Sequence, residues 1–526
     1  MLHRRLIFSL GLAGIAFLTV NHRASVVAQP PKESTMRDTF YLESPQWPPE
    51  LRQKVFEWKS GEKELNVKEN PKAAKDLELL AKIIIYKVTD RKYYSPSIEH
   101  KFGFGKTEQM VLANPESDQT LDGVMTEINR YVLVPNITEK SPYFKVAYIE
   151  EFGKAADAAI RDVLKKAGNE PRTAIVRVNA GRALASVCRS GASAHVPLLI
   201  ELIKNETTPP ELQYWALKAS ENLIAASDLI KATEGRPEFH ALKDKVMAPL
   251  VIEIEKAFKR YSAIAIPHTP PAPPPGGAAG AQDAKPPVPP MPPMGAGAGP
   301  KPPMGPPMAP PPGRDGKIET NFAPPFDVDV AMFLRRHAVR AISKCRKVYL
   351  SDSNETLARP GVFLAKLAVY DPSIVPVAQP YECADAAIGL AQMVPDNNVH
   401  VDVQLDAIAA AISTFGAWKV TGFDSKESKV VLWRKTATAM SAALATLKAM
   451  PDKAPIANQN RQRYLSLVDI AMREIVEPIR TEQEGVASTA ARPDELNRWR
   501  KEPSNQRQTD LLIRDDKLSQ VTLPKN

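Results

Sequence analysis

Arg177-Val178-Asn179-Ala180-Gly181-Arg182-Ala183-Leu184 recurs far along the chain as Arg335-Arg336-His337-Ala338-Val339-Arg340-Ala341-Ile342. The shared pattern is Arg-x-x-Ala-x-Arg-Ala followed by Leu or Ile. Each copy runs on into a Cys-Arg pair, Cys188-Arg189 and Cys345-Arg346, with one residue of slippage. Small residues at helical spacing let helices approach closely, and a branched aliphatic fills the space between layers. A pattern that repeats at a distance predicts stacked helical hairpins, an architecture whose usual work is binding.

Working outward from the first copy, Ser141-Pro142 opens a helix that runs to Lys166. Ala167-Gly168-Asn169 ends it and Pro171 prevents its resumption. Thr173 to Cys188 forms the next helix, closed by Ser190-Gly191. Val196 to Ile203 and Pro210 to Ile224 form a further pair, and a helix from Ala241 to Tyr261 follows, with His240 in the loop before it. Around the second copy the spacing predicts helices over Asp329–Val348, Arg359–Val369, Pro380–Val394, Val403–Phe415, Val430–Met450 and Asn460–Val476, the last closed by Pro478.

These residues resemble HEAT-type, armadillo-like repeats of the exported bacterial kind. The basic residue, inner alanines and aliphatic of the family's second helix match Arg177, Ala180, Ala183 and Leu184; then Lys218 with Ala216 and Ala219; then Arg335, Ala338, Ala341 and Ile342. Looser copies are Ala384, Ala387 and Ile388, and Arg434, Ala437 and Ala439. The resemblance implies an all-α fold, an irregular HEAT-like α-solenoid. It also implies that Arg177, Arg182, Lys218, Arg335, Arg336 and Arg340 lie near a partner-binding groove or between layers. The spacing departs from a regular array, since Ala180 to Ala216 is 36 residues and Ala338 to Ala384 is 46. An irregular helical bundle carries the same pattern.

Between the copies, 22 of the 49 prolines fall within Pro267–Pro325. Proline, glycine, alanine and methionine in low-complexity order cannot bury a core, so residues 266–326 are expected to be a disordered linker, extended polyproline II broken by glycines. Its PxxP patterns suit an aromatic groove in another protein; a spacer role is the plainer reading. The expected order is an export signal over 1–28, a mostly helical region over 29–140, one HEAT-like module over 141–265, the linker, a second module over 327–480, and a polar, frayed tail over 481–526. Within the N-terminal region, Pro48 to Lys59 reads as a helix, and Asn70-Pro71 starts another whose end, Ile84 to Val88, also suits a strand. Residues 90–120 read as irregular and Leu121 to Val134 as helical.

His3-Arg4-Arg5 followed by the apolar run Leu6–Val20 and the small residues Val26-Val27-Ala28 reads as a cleaved signal, which leaves a chain starting near Gln29. The run is short for an uncleaved anchor, and no later segment has the apolar length of a membrane span. The expected address is the periplasm, the cell envelope or the medium. Three cysteines, all in alanine-rich helical surroundings, read best as small buried hydrophobes, with a Cys345–Cys383 bridge as the alternative. The net charge of +9 is spread without blocks, which predicts no specific nucleic-acid site.

Catalytic motifs are weak. Phe104-Gly105-Lys106-Thr107 ends like a phosphate loop, but His100 stands where the first glycine belongs. Asp396-Asn397-Asn398-Val399-His400-Val401-Asp402 alternates oxygens like a calcium loop, yet lacks the glycine and the closing glutamate. It reads as an inter-helix loop in which Asp402 caps the next helix. No histidines stand at ligand spacing. The chain therefore reads as an exported non-enzymatic scaffold or adaptor that holds a protein partner, with no cofactor and no metal. The alternatives are an enzyme or accessory subunit with its site in the N-terminal region, and a cell-envelope spacer.

Overall fold

A proline at the first turn starts many of the helices, because its missing N–H is one that no helix start can use. Such starts give α1 (Pro49–Ser60), α2 (Pro71–Ile85), α4 (Pro142–Ala167), α7 (Pro210–Glu234), α8 (Pro237–Ala265), α11 (Pro380–Gln392) and α16 (Pro493–Lys501). The others are α3 (Leu121–Val132), α5 (Ala174–Val187), α6 (Val196–Lys204), α9 (Val328–Ile342), α10 (Glu355–Ala368), α12 (Asn398–Val420), α13 (Val430–Lys448), α14 (Asn458–Ala471) and α15 (Glu477–Arg480). The computed structural model describes residues 42–43, 45–46, 48–90, 121–132, 142–170, 173–234, 237–265, 327–348, 355–369, 374, 378–395, 398–420, 430–452, 458–482 and 491–502. The export signal, the phosphate-loop-like Phe104–Thr107 and the proline-rich tract lie outside these residues. The loop residues Asp396 and Asn397 also lie outside them.

The fold is all-α. Among the described residues the one strand pairing is a two-residue parallel contact, β1 (Lys347–Val348) beside β2 (Val394–Pro395). It replaces the last turn expected of α9, which ends at Ile342 rather than Val348, and it also takes Val394 out of α11. The Ile84–Val88 run is not a strand: α2 continues to Ile85 and tightens into a 3-10 turn over Tyr86–Thr89. His240 belongs to α8 rather than to a loop, and Asp402 lies inside α12 rather than at its cap. Pro478 does not close a helix. The chain passes from α14 through a π-helical turn, Met472–Val476, into α15, where Pro478 occupies the first turn. Lacking an N–H, it cannot donate to the Glu474 carbonyl four residues back, which accepts the Arg492 N–H instead.

Helices α5, α7, α9, α11 and α13 each pack on the next, and α6, α8, α10 and α12 flank them. Alanines form the inner face of this succession. Ala180, Ala216, Ala338, Ala384 and Ala437 have no exposed surface. At two points even a methyl group is excluded. A Cβ on Gly181 of α5 would lie 2.6 Å from Trp215 Cβ of α7, and one on Gly389 of α11 would lie 2.5 Å from Ser343 Cβ at the end of α9.

The proline-rich tract joins two helices that touch. Phe258 of α8 carries the Arg335 guanidinium of α9 on its ring, 4.8 Å from the centroid. Phe258 is seven residues before Ala265, and Arg335 eight after Asp327. At 1.5 Å per helical residue, the ends of the tract are within about 30 Å of each other. Sixty-one residues in polyproline II would reach on the order of 190 Å. The tract is far longer than the gap it bridges.

Residues 493–501, expected in a polar tail, form α16. Leu496 and Trp499, three residues apart, bury their side chains, and Trp499 Nε1 donates to Ser466 Oγ of α14 at 2.7 Å. Arg500 pairs with Asp406 of α12 at 2.8 Å. Two apolar side chains on one face suffice to dock a helix whose remaining positions are mostly charged. No described helix is long and apolar enough to cross a membrane.

Candidate functional site

Buried polar side chains stand three residues before a buried alanine in four helices: Arg177 before Ala180, Gln213 before Ala216, Arg335 before Ala338 and Gln404 before Ala407. Each reaches past its own helix. Arg177 donates to the Gly168 and Glu170 carbonyls and to Thr173 Oγ1, then pairs with Glu211 at the start of α7 at 2.8 Å. Gln213 Nε2 donates to the Thr208 carbonyl at 3.0 Å, and its Oε1 accepts the Tyr261 hydroxyl. Gln404 Nε2 donates to the Leu390 and Met393 carbonyls at 2.6 and 2.8 Å, and its Oε1 accepts the Tyr464 hydroxyl. Loop carbonyls left over where one helix ends and the next begins thus find donors inside the protein.

Arg335 holds Glu382 in the first turn of α11, with Nη2 donating to Oε2 and Nε 2.9 Å from Oε1. The Gln379 N–H also donates to Oε2. Burial pushes the Glu382 carboxyl above its usual range, against the opposing pull of Arg335. Arg177 and Arg335, the first residues of the two motif copies, are therefore interior clasps between helices. Arg182, on the same helix as Arg177, is half-buried and engaged.

The other three sequence candidates come together where α7 meets α9. Tyr214 and Lys218 lie one turn apart on α7. Phe333, Arg336, His337 and Arg340 follow one another down α9. The Tyr214 ring lies 5.2 Å from Phe333 and 4.8 Å from His337; Phe333 and His337 are 4.5 Å apart. Trp215 packs edge-on to Tyr214. His337 is buried, yet Phe333 is 49% exposed, one of few large apolar side chains so placed among the described residues. Burial, then the charges of Arg340, Arg336 and Lys218, push His337 down to about 3 from an ordinary 6.5. The imidazole is neutral at physiological pH and the seam around it is electropositive.

Two of these cations are partly offset. Lys218 pairs with Glu221 at 2.8 Å, and Arg336 pairs with Asp385 at 2.9 Å while lying over the Tyr381 ring. Lys344 approaches Glu221 at 3.7 Å. Arg340 has no carboxylate partner among the described residues. Tyr214 and Phe333 escaped the sequence reading because each reads as a core aromatic on an amphipathic helix. Only the packing of α7 on α9 gathers them at the surface.

The three cysteines are unbridged. Cys383 Sγ donates to the Leu367 carbonyl at 3.5 Å. Cys188 is sealed, and burial, helped by Asp157, raises its thiol well above the ordinary range. A thiol so placed does not ionise readily and makes a poor nucleophile. His195, also sealed, lies 3.6 Å from Asp157, whose carboxylate takes the Arg161 Nε–H. Among the described residues no three His, Cys, Asp or Glu gather as metal ligands. Compared with models of protein families, with characterised proteins and with solved structures, the chain matches none.

Proposed function

We propose that the protein is an exported scaffold or adaptor that binds a protein partner, built as an irregular HEAT-like stack. In this reading residues 141–265 and 327–480 are two modules set directly against each other. The succession of α5, α7, α9, α11 and α13 with alanines on the inner face supports the repeat reading. The observation that carries the binding function is the half-exposed Phe333, held against Tyr214 and His337 among Lys218, Arg336 and Arg340. Aromatic side chains and arginines together are the composition of binding hot spots. The apolar run at Leu6–Val20 supports export.

The test is affinity capture from cell-envelope extracts with the tagged full chain as bait, beside a Phe333→Ser bait. A stoichiometric protein that the wild-type bait retains is the expected result. A well-folded bait that retains none sinks the scaffold reading.

A further inference from the structure

The chemistry of the partner is written in the α7–α9 seam, and the following rests on the scaffold reading above. Four cations line the seam: Lys218, Arg336, Arg340 and Lys344. Two carboxylates answer them, Glu221 and Asp385. Of the other acids at this junction, Glu211 is spent on Arg177 and Glu382 on Arg335, and Asp329 stands exposed one turn before Phe333 on α9, a third carboxylate against the four cations. The seam therefore carries an excess of positive charge. Arg340 is half-buried and without a carboxylate among the described residues. Beside these charges lie the Phe333 ring, half-open to solvent, and the Tyr214 ring against it.

We propose that the seam docks an acidic segment of a partner protein, with an aromatic or aliphatic side chain seated on Phe333 and Tyr214 and flanking carboxylates paired to Arg340 and Lys218. The apolar seat gives the segment an anchor, and the surrounding cations select its charge. A uniform polyanion fits less well. Glu221 and Asp385 stand among the cations, so an evenly charged phosphate backbone or headgroup layer meets carboxylates at close range. A peptide places its charges one at a time and avoids them. Arg presents a planar fork suited to a carboxylate, and the one cation left unanswered here is an arginine.

Selection of a phage-displayed random peptide library on the immobilised full chain tests the assignment, followed by fluorescence anisotropy with the enriched peptides. Enriched sequences are expected to carry an aromatic or large aliphatic residue flanked by Asp or Glu. Phe333→Ser and Arg340→Glu should each weaken binding by on the order of ten-fold or more, without loss of helical circular dichroism. A peptide with one acid changed to Lys should recover affinity for Arg340→Glu, because that exchange restores the pairing with signs reversed. Enrichment of neutral or basic sequences overturns the proposal. So does absence of enrichment, or binding indifferent to both substitutions. Tighter, Arg340-dependent binding of oligothymidine or of phosphatidylserine vesicles also overturns it and makes the seam a polyanion site. A stoichiometric partner in the capture experiment that ignores Phe333→Ser leaves the scaffold reading standing and removes only this assignment.

Discussion

Gln213 and Gln404 do the same work in two places: the amide nitrogen takes carbonyls of the preceding loop, and the amide oxygen takes a tyrosine hydroxyl from a later helix. Replacing Gln404 with Leu strands the Met393 carbonyl and the Tyr464 hydroxyl and leaves the Leu390 carbonyl with the Met393 N–H alone. The expected loss is about 1–3 kcal/mol of unfolding free energy, read by urea denaturation, with a smaller loss for Tyr464→Phe. Arg335 and Glu382 make a stricter case because both are sealed. Arg335→Met alone leaves a buried carboxylate and should lose about 3–5 kcal/mol, whereas the double variant Arg335→Met/Glu382→Leu should recover most of it. A double variant no more stable than the single one would mean that the arginine's contacts, its seat on Phe258 included, matter more than the charge. His337 gives a pH signature. Its folded pKa, about 3, lies below the ordinary 6.5, so its contribution is complete above 6.5 and is lost as pH falls toward 3. Thermal midpoints should drop across that window, and His337→Gln should flatten the drop.

Helix starts were legible in the sequence at Pro71, Pro142, Pro210 and Pro380, because such starts obey local chemistry, whereas Pro237, four residues before the expected Ala241, and Pro493, within the expected tail, were not read as starts. Helix ends were less legible. The end of α9 at Ile342 and the loss of Val394 from α11 depend on β1 meeting β2, a contact between segments 47 residues apart. The π-helical turn at Met472–Val476 was marked only by Pro478, which read as a helix end. Its Glu474 carbonyl accepts the Arg492 N–H at 2.7 Å, and its Ile475 sits 3.0 Å from where a Gly416 Cβ would be, so its setting is tertiary. The recurring arginines could be read from spacing, but their partners could not. Glu211 lies 34 residues beyond Arg177 and Glu382 lies 47 beyond Arg335, and nothing short of the packed helices chooses these acids among 60. Close packing itself is open to test between α9 and α11. Gly389→Ala puts a methyl 2.8 Å from the Ser343 Cα, a backbone atom that cannot turn aside. It should lose about 1–3 kcal/mol, and Gly389→Ala/Ser343→Gly should regain part of that. An unaltered denaturation midpoint in the single variant would show that the two helices separate freely.

Across the whole molecule, the described residues belong to one compact unit, Phe40–Asn526, and the contact of α8 with α9 carries that unit past the proline-rich tract. Composition alone suggested a tether between separate bodies, since proline content says what a segment cannot bury and nothing about how near its ends lie. Because the ends are close, the tract is longer than joining α8 to α9 requires. Shortening it to about 15 residues should stabilise the fold by roughly 1 kcal/mol through the smaller loop-closure entropy, seen as a higher denaturation midpoint. A fall would show that the tract itself contributes contacts. The same interface has a consequence for a chain that is cut. A protease that nicks the tract once severs the backbone and leaves the α8–α9 surface intact. The fragments should then travel as a single particle through gel filtration and part only in denaturant. For such a protein, cleavage is an edit to the connection and not a release of its halves.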